Sequence, residues 1–129
     1  YTWTALAPGD GEVLFTELGS NDPHFNLRRE QALILRVPEA EASTFVSVLE
    51  PHGEYNGAEE YTVRSRSAIT ALEHFSGGGA DLIHITAGNG NERWFALSWD
   101  PRPDERHSLT ARGRTFEWNG YYHLFGEEE

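Results

Sequence analysis

The sequence predicts an all-β protein: a single β-sandwich domain of mostly antiparallel strands over residues 1–129. Three observations carry this reading. About nine apolar and β-branched runs recur at roughly ten-to-thirteen-residue spacing, the interval of an all-β sandwich. Clusters of Gly, Pro, Asn and Asp punctuate them. No window carries a capped helical stripe, and Glu39-Ala40-Glu41-Ala42 reads as one isolated turn at most.

Taken in order, Tyr1–Leu6, Glu12–Leu18 and Leu27–Val37 are strand-like runs, divided by Pro8-Gly9-Asp10-Gly11 and by Gly19–Pro23. Within the third, Leu33, Leu35 and Val37 share one face and Arg36 takes the other. Ser43–Leu49 is nearly continuous in apolar character, which predicts a strand covered on both faces, ended by Pro51 and Gly53. Tyr61–Phe75 reads as one long bent strand or as two. Ala80–Ala87 and Glu92–Trp99 follow, with Gly77-Gly78-Gly79 as a turn and Gly88-Asn89-Gly90-Asn91 as a hairpin turn. Ser108–Thr110, Arg114–Trp118 and Tyr121–Phe125 complete the set, the last two joined by the tight-turn pair Asn119-Gly120. No internal repeat and no linker divides the chain, so one domain is expected.

Composition sets the function classes. Apolar content of 38% and aromatic content of 12% suit a globular core, and no apolar run approaches a membrane span. The net charge of −11 repels polyanions at long range, which argues against a nucleic-acid partner, and no membrane partner is indicated. Cysteine is absent, so no disulfide holds the fold and no redox compartment can be read. All ten basic residues are Arg. Guanidinium forks suit uronate carboxylates, and the same bias fits a GC-rich coding sequence. The chain opens on Tyr1 without a signal-peptide pattern, which reads as a processed or excised piece.

Two loops hold the candidate residues. His52, Tyr55 and Asn56 follow a strand, where loops on a rigid scaffold collect contacts. Their types suit proton abstraction beside a carboxylate, yet types without geometry fit a capped β-turn better. His24, Asn26, Arg28 and Arg29 lie in and after the turn Asn21-Asp22-Pro23. Either Arg would meet a carboxylate, with a structural ion pair as the plainer role. All seven are assigned to substrate binding or a domain interface, and none to catalysis. The six histidines show no metal-ligand spacing, so neither a metal nor another cofactor is assigned. Trp3, Trp94, Trp99 and Trp118 invite sugar stacking, but the spacing of Trp94 with Ala96 and of Phe116 with Trp118 suits a sandwich core.

The stretches Asn21-Asp22-Pro23-His24-Phe25-Asn26-Leu27-Arg28 and Thr44-Phe45-Val46-Ser47-Val48-Leu49-Glu50-Pro51-His52-Gly53, in this order and at this separation, resemble the C-terminal β-domain of alginate lyases of polysaccharide lyase family 17, in the heparinase II/III-like group. The resemblance runs from about Trp3 to Phe125 and is firmest between Glu12 and Tyr55. It implies a larger enzyme with a helical toroid domain, absent from this chain, that cleaves alginate or its oligomers by β-elimination. The helical part carries the proton-transfer residues in such enzymes, so this chain alone is expected to be inactive. The implied partners are that helical domain, an acidic uronate oligosaccharide and, for the full enzyme, a second copy. An independent uronate-binding module and a structural or assembly domain are the alternatives. Polysaccharide breakdown suits a secreted or periplasmic home and oligomer cleavage a cytoplasmic one; the sequence selects neither.

Overall fold

The computed structural model describes residues 1–7, 9–19, 29–63, 65–100, 102 and 104–126. Among these there is no helix, hence none long and apolar enough to cross a membrane. The described residues form twelve strands, every pairing among them antiparallel. The all-β expectation holds. The chain divides into two compact units, Tyr1–Leu6 with Val46–Glu129, and Ala7–Phe45.

The smaller unit is a hairpin of β2 (Glu12–Gly19) and β3 (Arg29–Arg36). Because strand residues alternate in direction, the register sorts its side chains cleanly. Val13 and Phe15 share a face with Leu35 and Leu33, and Leu14 and Leu18 share the other with Ile34. Both faces are therefore apolar. Arg36 pairs with Glu12 directly opposite, at 2.6 Å.

In the larger unit, β1 (Thr2–Leu6) pairs with β4 (Val46–Glu50). The short strands β5 (Glu54–Asn56) and β6 (Tyr61–Val63) form a hairpin. A four-stranded sheet runs in the order β12 (Tyr122–Phe125), β9 (Glu92–Ser98), β8 (Ala80–Ala87), β7 (Ile69–Gly77). A second hairpin of β10 (Arg106–Ala111) and β11 (Arg114–Asn119) packs over one face of this sheet.

The core lies between these two layers. Leu82, Trp94 and Ala96 from the sheet meet Ala111, Phe116 and Trp118 from the hairpin, and the Trp94 and Phe116 rings stand 4.5 Å apart. Burying a side chain of Phe116's size contributes about 1.5–3 kcal/mol, and the interlocking aromatics hold the hairpin to the sheet. His84 is wholly buried in the same face, stacked 4.0 Å from Trp94. Its Nδ1 lies 2.8 Å from Glu73 Oε2, and Glu73 also accepts from Arg112 at 2.7 Å. The imidazole is thus tied to an Arg-carboxylate chain that leads out to solvent, which lets a polar ring sit in an apolar layer.

Several expectations are corrected. The run Ser43–Leu49 is not a strand covered on both faces: β4 starts at Val46, which is buried, while Ser47 and Leu49 face solvent. Of the two readings of Tyr61–Phe75, one bent strand or two, the second holds, as β6 and β7, whereas Tyr55 and Asn56, read as part of a turn, lie in the strand β5. At Glu39-Ala40-Glu41-Ala42 a turn with Glu39 at φ 58 replaces a helical turn. Gly120 does turn at φ 80, but the turn closes no hairpin; β12 leaves β11 and pairs with β9 on the edge of the four-stranded sheet. An unexpected hairpin turn sits at Arg112-Gly113, both at positive φ, the signature of a two-residue primed turn.

Candidate functional site

The pairing of β1 with β4 sets Thr2 opposite Glu50, so the chain just past β4 returns beside the start of β1. There the Thr2 hydroxyl and His52 Nε2 lie 2.7 Å apart. Glu50 fastens this corner to the approach of β7. Its carboxylate accepts from the Ser67 hydroxyl and, at 2.8 Å, from the Ala68 amide. Those two bonds hold the Glu50 carboxyl below the usual carboxylate range, against a smaller desolvation effect.

Gly53 then bends the chain at φ 94. A Cβ there would fall 2.7 Å from Thr62 Cγ2, so only glycine lets β5 and β6 close at this place. The result is a shallow recess of about 620 Å³ between Tyr1, His52, Tyr55, Thr62 and Ser65. Tyr55 is 71% exposed, so its ring is available to a partner. Among the described side chains lining the recess, His52 is the one able to carry positive charge.

The predicted residues do not converge as a set. His52 and Tyr55 share the recess. Asn56 caps its own turn instead, its Oδ1 accepting from the Ala58 amide at 3.0 Å. Arg29 meets a carboxylate of its own hairpin, Glu17 Oε2 at 3.1 Å. His24, Asn26 and Arg28 lie outside the described residues. Among the described residues, no three or more His, Cys, Asp or Glu gather in a group that could hold a metal ion. The recess offers stacking and hydrogen bonding. For a β-elimination its described residues present neither a clamp for the substrate carboxylate nor a base and acid facing each other.

The tryptophans separate sharply. Trp94 and Trp118 are core, as their period-two spacing predicts, whereas Trp99 is 62% exposed. Its Nε1 donates to Asp81 Oδ2 at 2.5 Å, and Asp81 is itself only 2% exposed. Asp81 Oδ1 lies 2.8 Å from His74 Nε2. Burial pushes the Asp81 carboxyl up, and hydrogen bonds from His74, Ser76 and Trp99 more than offset it, leaving it below its ordinary value. The reading of single tryptophans by type missed this arrangement. Strand parity held the signal: Trp94, Ala96 and Ser98 point to the core, so an odd position beyond them points away.

The chain is 40% identical over 122 residues to an exo-oligoalginate lyase of Saccharophagus degradans, matching 94% of this chain and 17% of that protein. It is 38% identical over 120 residues to an alginate lyase of Stenotrophomonas maltophilia, matching 93% of this chain and 16% of that protein. The chain is homologous to one stretch of these alginate lyases. It spans about one-sixth of the length of those curated relatives. No protein-family model matches the sequence. The two alginate lyases agree with the resemblance drawn from Asn21–Arg28 and Thr44–Gly53.

Proposed function

We propose that this chain is the accessory β-domain of a uronate polysaccharide lyase that cleaves alginate or its oligomers by β-elimination. In this reading it closes the substrate cleft against a helical catalytic domain. The observation that carries it is the match of nearly the whole chain to about one-sixth of two alginate lyases. In the elimination a base takes the proton α to the uronate carboxylate, the C4–O bond breaks as an acid protonates the leaving oxygen, and a C4=C5 unsaturated uronate is left beside the released sugar hydroxyl. The His52 recess suits contact with substrate or domain rather than that proton transfer, since His52 is already engaged by Thr2 and Asn56 by its own turn.

The β2–β3 hairpin supports the need for a partner. Phe15 is 82% exposed, and the apolar residues on both faces of this ribbon ask for packing surfaces on both sides. A two-stranded ribbon supplies neither surface itself. We assign at least one of those surfaces to the helical domain.

The test is ultraviolet absorbance of unsaturated product from oligo-alginate, with the chain alone and then mixed with separately produced helical domain. Product only in the mixture, or a clear gain over the helical domain alone, is expected. Product from this chain alone would overturn the accessory assignment and make His52 and Tyr55 the first residues to substitute.

A further inference from the structure

From the placement of Trp99 we infer a second, separate site on the larger unit: a sugar-stacking recess that takes one pyranose ring of an oligosaccharide. It does not depend on the lyase reading. The recess, of about 490 Å³, opens between the Gly78-Gly79 turn, Trp99, Glu105, Arg106 and Ser108.

Three features make this more than an exposed aromatic. The indole is fixed at both ends: its backbone amide donates to the Gly79 carbonyl at 2.9 Å, and its ring nitrogen donates to buried Asp81. A large apolar ring held open to water by a carboxylate behind it is a pre-organised platform, because binding needs no further ordering of the side chain. The floor beside the ring is empty. Gly78 and Gly79 take φ 61 and 77, and a Cβ on either would meet nothing within 4 Å, so the turn leaves open space next to the indole. The rim is polar. Asp100 forks to Arg102 Nε and Nη2 at 3.0 and 2.6 Å, and Arg102 reaches on to Glu105 at 2.5 Å.

One flat aromatic with carboxylates, an Arg and a hydroxyl around it matches a sugar better than a protein. A pyranose ring offers an apolar C–H face to the indole and hydroxyls to the rim, whereas a protein partner of this size calls for several apolar anchors. Glu105 accepts from sugar hydroxyls; Arg106, with one nitrogen on Glu117 at 2.5 Å, donates from the others. The shared chemistry is the ring face, and it occurs both in uronate oligomers and in neutral β-linked glycans.

Saturation-transfer NMR on the 129-residue chain, with an oligo-alginate tetramer and with a neutral β-1,4-glucose tetramer, tests the site. We expect saturable transfer, strongest on ring C–H protons, with affinity lowered about tenfold or more in Trp99→Ala and unchanged in Leu124→Ala, an exposed position outside both recesses. Transfer from the uronate alone assigns the site to the acidic polymer, and transfer from the neutral sugar assigns it to other glycans. Absence of saturable transfer from both, or transfer insensitive to Trp99→Ala, overturns the proposal. Far-UV circular dichroism checks that the variant is folded. If it is not, Trp99→Phe takes its place: it keeps a ring but loses the Asp81 tether, and weakened yet measurable binding is then expected.

Discussion

Replacing Asp81 with Asn tests the geometry behind Trp99, because the two folded states differ by one polar atom in a known place. Asp81 faces His74 through one oxygen at 2.8 Å and Trp99 through the other at 2.5 Å. An Asn amide can keep its oxygen on the Trp99 ring nitrogen, a permanent donor. Its NH2 must then point at His74 Nε2, which accepts only when the imidazole is neutral and carries its proton on Nδ1. Near pH 8 the variant exchanges charge-assisted for neutral hydrogen bonds and is expected to lose about 1–2 kcal/mol. Urea unfolding followed by far-UV circular dichroism measures the cost. In a His74→Ala background, where the bond to that ring is already gone, the Asp81→Asn cost should fall by about 0.5 kcal/mol or more. An Asp81→Asn cost below about 0.5 kcal/mol, or one unchanged by His74→Ala, would refute the hydrogen-bond assignment.

Two further outcomes are expected. Hydrogen bonds from Ser67 and Ala68 to Glu50, from His84 and Arg112 to Glu73, and from Arg102 to Asp100 hold these carboxyls below their ordinary values, Asp100 at about 2. On acidification the unfolded chain therefore binds protons first, so these contributions are complete above about pH 4.5 and are lost as pH falls through the folded values. A melting temperature recorded against pH should fall steadily below about pH 4, and Asp100→Asn should flatten its lowest part, towards pH 2. Asn56→Ala removes the acceptor for the Ala58 amide and should cost about 0.5–1.5 kcal/mol. Faster amide exchange at Ala58 and Glu59, with the four-stranded sheet unchanged, would locate that loss in the β5–β6 turn.

What the sequence made legible follows from how far each interaction reaches along the chain. Alternation is local, so Ala80–Ala87 and Glu92–Trp99 were readable as strands and Gly88-Asn89-Gly90-Asn91 as their turn. Pairing is not local. Asn119-Gly120 has hairpin chemistry, yet β12 pairs with β9 at the edge of the four-stranded sheet rather than with β11, and no dipeptide records that choice. The same limit applies to the recess. His52 and Tyr55 were singled out, but the Thr2 hydroxyl that engages His52 arrives through the β1–β4 pairing, and its role was invisible until that pairing was known. Asn56 shows the converse: turn chemistry predicts its capping bond, and that bond removes it from the recess. Arg29 likewise took the plainer role, an ion pair with Glu17.

The β2–β3 ribbon brings the sequence and the comparisons to one point. A strand with one wet face alternates apolar and polar residues, but Val13-Leu14-Phe15 and Leu33-Ile34-Leu35 are apolar at successive positions, so both faces of the ribbon are built for burial. A two-stranded hairpin is at best marginally stable in water, and the ion pairs of Arg29 with Glu17 and Arg36 with Glu12 are exposed and contribute little. The ribbon's stability must then come from surfaces packed against it. Two alginate lyases carry the homologous stretch within polypeptides about six times its matched length, which provides ample chain to form such surfaces. The successive apolar residues, which a free-standing ribbon would leave wet, are what the proposed accessory role predicts of an interface.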